Sequence, residues 1–272
     1  MKTRAIRAIL RKDLKVTLQN KGVIIPLILV PLLLFVVLPL VALFVPSLVN
    51  MPGTSFTSIE ALLQNMAPGL KSTLAVYSTE QLVIVLILVY FMAPMFLIVP
   101  LMVASVIAAD SFAGEKERKT IEALLYTPTT DQELFLAKTL AAWLPALLIT
   151  LIGFVLYSLV ANLAGWSIMG RIFFPNLMWV VMVFWMAPAV AGLGLSTMVL
   201  VSSRARGFQD AYQIGSVVVL PILLLVIGQA TGVMYFNVGL VALLGLFFWI
   251  LDVILFRFAV HTFQRGEIIS RL

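Results

Sequence analysis

Six apolar runs divide this chain, at roughly 23–45, 81–109, 139–161, 176–201, 212–228 and 237–256. Crossing ~30 Å of hydrocarbon takes about 20 apolar residues, and all but the proline-bearing 212–228 run meet that length comfortably. None alternates polar and apolar residues as a barrel strand does. Backbone groups in lipid must satisfy one another, so each run predicts a helix. The expected fold is all-α and polytopic, with six transmembrane helices.

Two amphipathic stretches flank the first run. In 1–22, Ile6, Ile9, Leu10, Leu14 and Leu18 fall on one broad helical face, with Arg4, Arg7, Arg11 and Lys15 opposite. That pattern predicts an interfacial helix drawn to anionic lipid, ahead of a six-span transmembrane domain over 23–272. A topology signal alone needs charge but not amphipathicity. In the 46–80 loop, Thr57-x-x-Glu60 is a capping box, followed by Ile59, Leu62, Leu63, Met66 and Leu70 at helical spacing and by Gly69 as a stop. This predicts a short helix resting on the outer leaflet or over the mouth of the bundle.

Composition sharpens the membrane reading. The chain is 62% hydrophobic and 11% charged, against about 25% charged in soluble domains. It has no cysteine, which excludes disulfides, thiolate metal sites and cysteine nucleophiles. The basic N-terminal arm is too long and too charged for a signal peptide and is expected to be retained. The net charge of +6 is explained by where the charges lie rather than by nucleic acid. Of the 18 Lys and Arg, all but Lys71 and Arg171 fall in alternate segments: the N-terminal arm, the second–third connection, the fourth–fifth connection and the tail. That bias places both termini and segment 110–138 in the cytoplasm and the 46–80 loop outside, in a multi-pass protein of the inner (plasma) membrane.

Segment 110–138 concentrates charge between two apolar spans: Asp110, Glu115, Lys116, Glu117, Arg118, Lys119, Glu122, Asp131, Glu133 and Lys138. Such an insert is expected to lie in water, where a soluble partner grips it. Its first part reads as a helix with Ile121, Leu124 and Leu125 as apolar edge. Pro128 stops that helix, and Thr130-x-x-Glu133 starts the next. The pattern is helix, sharp turn, helix, able to pass a push to the two spans it joins.

Here the chain resembles the permeases of ABC-2 type ABC transporters. The resemblance rests on Glu115-Lys-Glu-Arg-Lys-Thr120-Ile-Glu122-Ala-Leu-Leu125-Tyr-Thr-Pro128, followed by Glu133 and Lys138. It extends to Ser202-Ser-Arg-Ala-Arg-Gly-Phe-Gln209-Asp210-Ala211, with Pro221 in the next span, as in the sodium- and drug-efflux permeases of the group. Lys119 and Ala137 stand where the family often has glycine. The resemblance implies that cytoplasmic ATPase subunits bind the 110–138 connection and that their ATP-driven dimerisation moves the spans. It makes Glu115, Glu117, Thr120, Glu122 and Leu125 the main ATPase-coupling element, and Arg204, Arg206, Gln209 and Asp210 the minor one. No G-x-x-x-x-G-K-S/T phosphate loop occurs in the chain, so ATP and Mg belong to a separate ATPase. The expected assembly is two permease copies, as a homodimer or a heterodimer, with two ATPases. The chain itself is expected to bind no cofactor and no metal and to have no enzymatic activity.

The remaining polar residues have plain readings. Asp252, the one acid well inside a span, lies about a turn from Arg257 and is expected to pair with it or to snorkel. His261 reads as a solvated tail residue, since no second ligand stands near it. Pro94, Pro100, Pro188, Gly192 and Gly194 fit either ordinary membrane-helix packing or flexing during gating. The apolar character of the spans suits outward movement of a lipid, drug or peptide. Na⁺ efflux within the same family, and a non-transporting scaffold that binds a soluble partner, are the rival readings.

Overall fold

The computed structural model describes residues 3–45, 74, 76–118, 120, 130–231 and 233–262. Its long helices are α1 (Thr3–Gln19), α2 (Lys21–Ala42), α3 (Thr79–Glu117), α4 (Asp131–Ala164), α5 (Leu177–Ser202), α6 (Phe208–Ala230) and α7 (Val238–Thr262), with one short helical turn at Trp166–Met169 and no strand among the described residues. Six of them, α2 to α7, are long and apolar enough to cross a membrane. The all-α, six-span expectation is met. The expected helix at 57–70 and the stretch carrying Glu122, Leu125 and Pro128 lie outside the described residues.

The spans are not equivalent. Most of the apolar stretch of α3 and of α5 is buried, whereas α2, α4, α6 and α7 bury only about a quarter of theirs. So α3 and α5 form the centre, and the other spans present Ile28, Ile152, Leu224, Leu243 and similar residues outward. Small residues allow the central contact. A Cβ added at Gly194 would sit 2.6 Å from Ser105 Oγ and 2.7 Å from the Leu101 carbonyl oxygen. Without hydrophobic drive between spans, such close backbone approach is what holds them.

Three spans widen into a π-type turn just ahead of a proline: Leu33–Val37 before Pro39, Leu86–Phe91 before Pro94, and Met182–Met186 before Pro188. Proline lacks the N–H and its ring displaces the carbonyl four residues back; a wide turn absorbs the misfit. The middle turn has a second use. Its Leu88, Val89 and Tyr90 carbonyls accept hydrogen bonds from the Tyr157 hydroxyl (2.7 Å), Trp179 Nε1 (2.7 Å) and Gln229 Nε2 (2.5 Å). Those donors stand on α4, α5 and α6, so one turn of α3 fastens three neighbours. Tyr157 and Trp179 also stack at 5.0 Å, with Phe174 edge-on to Trp179 at 4.7 Å.

At 1.5 Å per residue, the 39 residues of α3 make about 58 Å, well beyond ~30 Å of hydrocarbon. The polarity of Asp110, Ser111 and Glu115 places the end of this span near Ala109 in the sequence, yet the helix runs on to Glu117. Glu115 and Glu117 are therefore its last turn, not the opening of a separate helix. α4 is likewise extended, starting at the capping box that Thr130 and Glu133 form: the Glu133 N–H donates to Thr130 Oγ1 at 3.2 Å, and the Thr130 N–H to Glu133 Oε2 at 3.3 Å. The extensions of α3 and α4 lie side by side at the basic end of the bundle.

Candidate functional site: a buried ion-pair network at the basic end

Asp110, Glu115, Glu133 and Lys138 of segment 110–138 are buried, which corrects the expectation that the segment's charges all lie in water. Lys138 on α4 is 1% exposed and Glu115 on α3 is 3% exposed. The Lys138 ammonium donates to Glu115 Oε2 at 2.6 Å, to the Ser111 carbonyl at 2.6 Å and to Ser111 Oγ at 3.1 Å. All three donors are used. Ser111 in turn donates to Asp13 Oδ2 on α1 at 2.8 Å. Asp13 also lies 3.6 Å from Lys138 and 3.3 Å from Lys12. Lys12 donates to Glu115 Oε1. Two ammonium groups and two carboxylates thus close a neutral set across α1, α3 and α4. Burial works to lower the Lys12 pKa, but the hydrogen bond and charge of Glu115, then Asp13, overcome it and leave the group above its ordinary value.

A second, linked pair sits one turn back along α3. Arg118 folds over the helix end and donates to Asp110 Oδ1 at 3.0 Å and to the Asp110 carbonyl at 3.1 Å. Gly114 leaves room for it: an added Cβ would stand 3.0 Å from Asp110 Oδ1 and 3.1 Å from the Arg118 guanidinium. Asn20 caps α2 by accepting from the Gly22 N–H at 3.1 Å, while its amide donates to Asp110 Oδ1 at 3.1 Å. The start of the first span is thereby hooked to the second.

The N-terminal helix exists, but its docked face differs from the expected one. Ile9, Asp13 and Thr17, at i, i+4 spacing, are buried, and Ile9 packs on Leu134 and Ala137 of α4. Leu10 and Leu14 lie at the edge and Leu18 is 64% exposed. Arg4, Arg7, Arg11 and Lys15 are exposed, as a face turned to water or lipid headgroups requires.

The fourth–fifth connection meets the end of α3 directly. α6 begins after Gly207, which has no side chain to cap it; instead the Phe208 N–H donates to Glu117 Oε2 at 2.9 Å. A carboxylate at a helix start satisfies an orphan N–H and complements the helix dipole. A Cβ at Gly207 would stand 2.6 Å from that oxygen, so glycine there admits the contact. Lys116 donates to the Ala205 carbonyl at 3.2 Å, and Asp210 accepts from the Arg206 N–H at 2.9 Å. Arg204, Arg206, Gln209, Glu117 and Thr120 are exposed. The Thr120 N–H donates to the Glu115 carbonyl at 3.0 Å.

The structure therefore gathers Glu117, Thr120, Arg204, Arg206, Gln209 and Asp210 at one end. It sets Glu115 apart, inside the network. A family model described as "ABC-2 family transporter protein" matches residues 7–265, from α1 past the end of α7. The chain belongs to the ABC-2 transporter family. None of the curated proteins compared with it matches. As an ABC-2 protein it is a multi-pass membrane permease component of an ABC-type transporter. Such components carry out transport and are not themselves the ATPase.

Within this ABC-2 permease, the residues that sequence reasoning missed are Lys12, Asp13, Asn20 and Ser111. One signal pointed to them. Asp13 is the only acid in the N-terminal arm, and its wheel position lies inside the apolar stripe, between Ile9 and Thr17. An acid there requires a partner.

Proposed function

We propose that this chain is the permease subunit of an ATP-driven exporter, working as a pair with two separate cytoplasmic ATPases that hold ATP and Mg, and moving a hydrophobic or amphipathic cargo outward. The orientation follows the basic end, which faces the cytoplasm. The observation that carries the reading is the joint between Glu117 and the start of α6. It makes the end of the second span and the start of the fifth one mechanical piece, with Arg204, Arg206 and Gln209 exposed on it. An ATPase pressing on that surface pushes α3 and α6 together. The neutral network behind it passes the push to α1, α2 and α4, because ion pairs this buried move as a unit rather than slide. In this account Glu115 is a positioning residue inside the joint, and Glu117, Thr120, Arg204, Arg206, Gln209 and Asp210 form the surface that the ATPase meets. Glu122 and Leu125 extend that surface by the family resemblance. The exposed Arg4, Arg7, Arg11 and Lys15 hold α1 at the anionic inner leaflet.

The test is charge reversal of Arg204 and Arg206 to Glu in the complex reconstituted with its ATPase. Both side chains are exposed, so the melting temperature stays within about 2 °C of wild type, as surface changes within ~0.5 kcal/mol imply. ATP hydrolysis then no longer responds to the permease, or the ATPase dissociates. A variant that keeps its ATPase and transports normally overturns the assignment.

A further inference from the structure

The outward face of α1 carries charge that the coupling joint leaves unused. With about 100° between successive residues of a helix, Arg7, Arg11, Arg4 and Lys15 span an arc of about 80° on the side away from the docked Asp13. All four are exposed, and none has an acidic partner among the described residues. Leu18 falls inside the same arc and is 64% exposed. Leu14 and Leu10 flank it on one side, half-buried. The place of α1 along the chain sets its level. A single residue, Asn20, separates it from α2, and outward-facing apolar residues begin at Ile25, about one turn into that span. α1 therefore lies at the edge of the hydrocarbon, within reach of headgroups.

Water alone does not suit this face. Leu18 stands among cations, and a membrane surface satisfies both: the leucine enters the acyl boundary while arginine and lysine stems carry their charge up to the headgroups. Uncompensated cations on one arc repel one another, and a negatively charged leaflet supplies the missing countercharge. The opposite face of α1 is fixed to the bundle. Ile9 packs on Leu134 and Ala137, Asp13 accepts from Ser111 at 2.8 Å, and Lys12 donates to Glu115. Whatever holds α1 in place therefore holds Glu115 on α3 and, through it, Lys138 on α4. Those two helices lead into and out of the connection that carries Glu122 and Leu125.

We propose that anionic phospholipid of the inner leaflet is an effector of this permease. Its headgroups bind Arg4, Arg7, Arg11 and Lys15, Leu18 enters the acyl boundary, and the seated α1 braces the coupling joint through Lys12 and Asp13. This rests on the export reading for the orientation and the joint, yet lipid binding itself is measured without any ATPase. Net charge is what the surface recognises. A zwitterionic headgroup carries phosphate but no net charge, so phosphatidylcholine does not replace phosphatidylglycerol.

The chain has no native cysteine, so Leu18→Cys carries one environment-sensitive NBD label. The full labelled chain is placed in nanodiscs of phosphatidylcholine with a minor share of phosphatidylglycerol. A doxyl group near the headgroup end of the acyl chain, on one lipid or the other, quenches the dye on contact. At equal mole fraction doxyl-phosphatidylglycerol should quench at least about twofold more than doxyl-phosphatidylcholine, since each basic residue adds to the attraction. High salt should erase that preference. Replacing Arg4, Arg7, Arg11 and Lys15 together by Gln should make the two lipids quench alike and leave the melting temperature unchanged, because exposed side chains carry the change. In the complex with its ATPase, phosphatidylglycerol should raise permease-dependent ATP hydrolysis severalfold over pure phosphatidylcholine with the wild-type chain, and not with the Gln variant. Equal quenching by both lipids in the otherwise wild-type chain overturns the proposal, as does a preference that the Gln variant retains. Quenching by aqueous iodide and by neither lipid puts the face in water and overturns it too. Hydrolysis that ignores lipid charge, or responds to it equally in the Gln variant, overturns the effector role. Each of these failures leaves the export reading standing, which the Arg204 and Arg206 reversal tests separately.

Discussion

Replacing Lys138 with Met keeps the length of the stem and removes one charge from a set that is otherwise neutral. Glu115 is then left with Lys12 alone, whose side chain is 41% exposed. Asp13 keeps Ser111 and Lys12. Ser111 loses both bonds from the ammonium. Removing one partner of a buried pair destabilises by about 3–5 kcal/mol, because the other charge stays buried. At about 2–4 °C per kcal/mol for chains of similar length, the melting temperature falls by roughly 6–20 °C. Removing the pair together behaves differently. Lys138→Met with Glu115→Leu leaves Lys12 beside Asp13 and replaces the central pair by apolar contact, which is often near neutral. The double variant should recover to within about 2 kcal/mol of wild type. Tryptophan-fluorescence melts of the full chain in nanodiscs measure all three, using its five tryptophans. The reasoning is refuted if Lys138→Met melts with wild type, or if the double variant loses the sum of the single losses.

Two further outcomes follow from the same end of the molecule. Glu117→Ala removes the cap of α6 and should destabilise by about 0.5–2 kcal/mol, with faster amide exchange confined to the first turn of α6; unchanged exchange there would show that the cap contributes nothing. Lys12 has a folded pKa above its unfolded value of about 10.4, so its stabilisation is full below that pH and is lost as pH rises through the folded value. Protection of α1 from proteolysis should therefore fall in wild type as pH rises above the ordinary lysine value, and Lys12→Met should be less protected at pH 9 with no further alkaline loss. The half-exposed side chain limits this effect to about 1 kcal/mol.

Much of this fold was legible because hydrophobic length and capping chemistry are local. The six spans, the α4 start at Thr130 and Glu133, and the concentration of basic charge at one end all follow from neighbours within a few residues. The end of α3 was not legible. Asp110, Ser111 and Glu115 read as the edge of the membrane, yet the helix continues because partners from elsewhere satisfy them. Lys12 and Glu115 are 103 residues apart, and Glu117 caps a helix 91 residues further on. No spacing rule connects them. The apolar face of α1 was drawn from hydrophobicity alone, so the face that docks through Asp13 was passed over. Asp252 shows the reverse error: Arg257 stands a turn and a half away on the same helix, but the acid is buried with neither oxygen hydrogen-bonded, while the arginine is exposed.

The central claim is that an ATPase seats on the surface built by the end of α3 and the start of α6. The chain has no native cysteine, so one introduced cysteine carries one label. A benzophenone maleimide placed at Gln209→Cys, exposed on α6, is compared with one at Ile172→Cys, exposed in the α4–α5 connection at the opposite end of the bundle. Each is irradiated in the ATP-hydrolysing complex. The account predicts a covalent adduct with the ATPase from position 209 and none from position 172. Capture of the ATPase from position 172, or no capture from position 209 in a complex that transports, contradicts it.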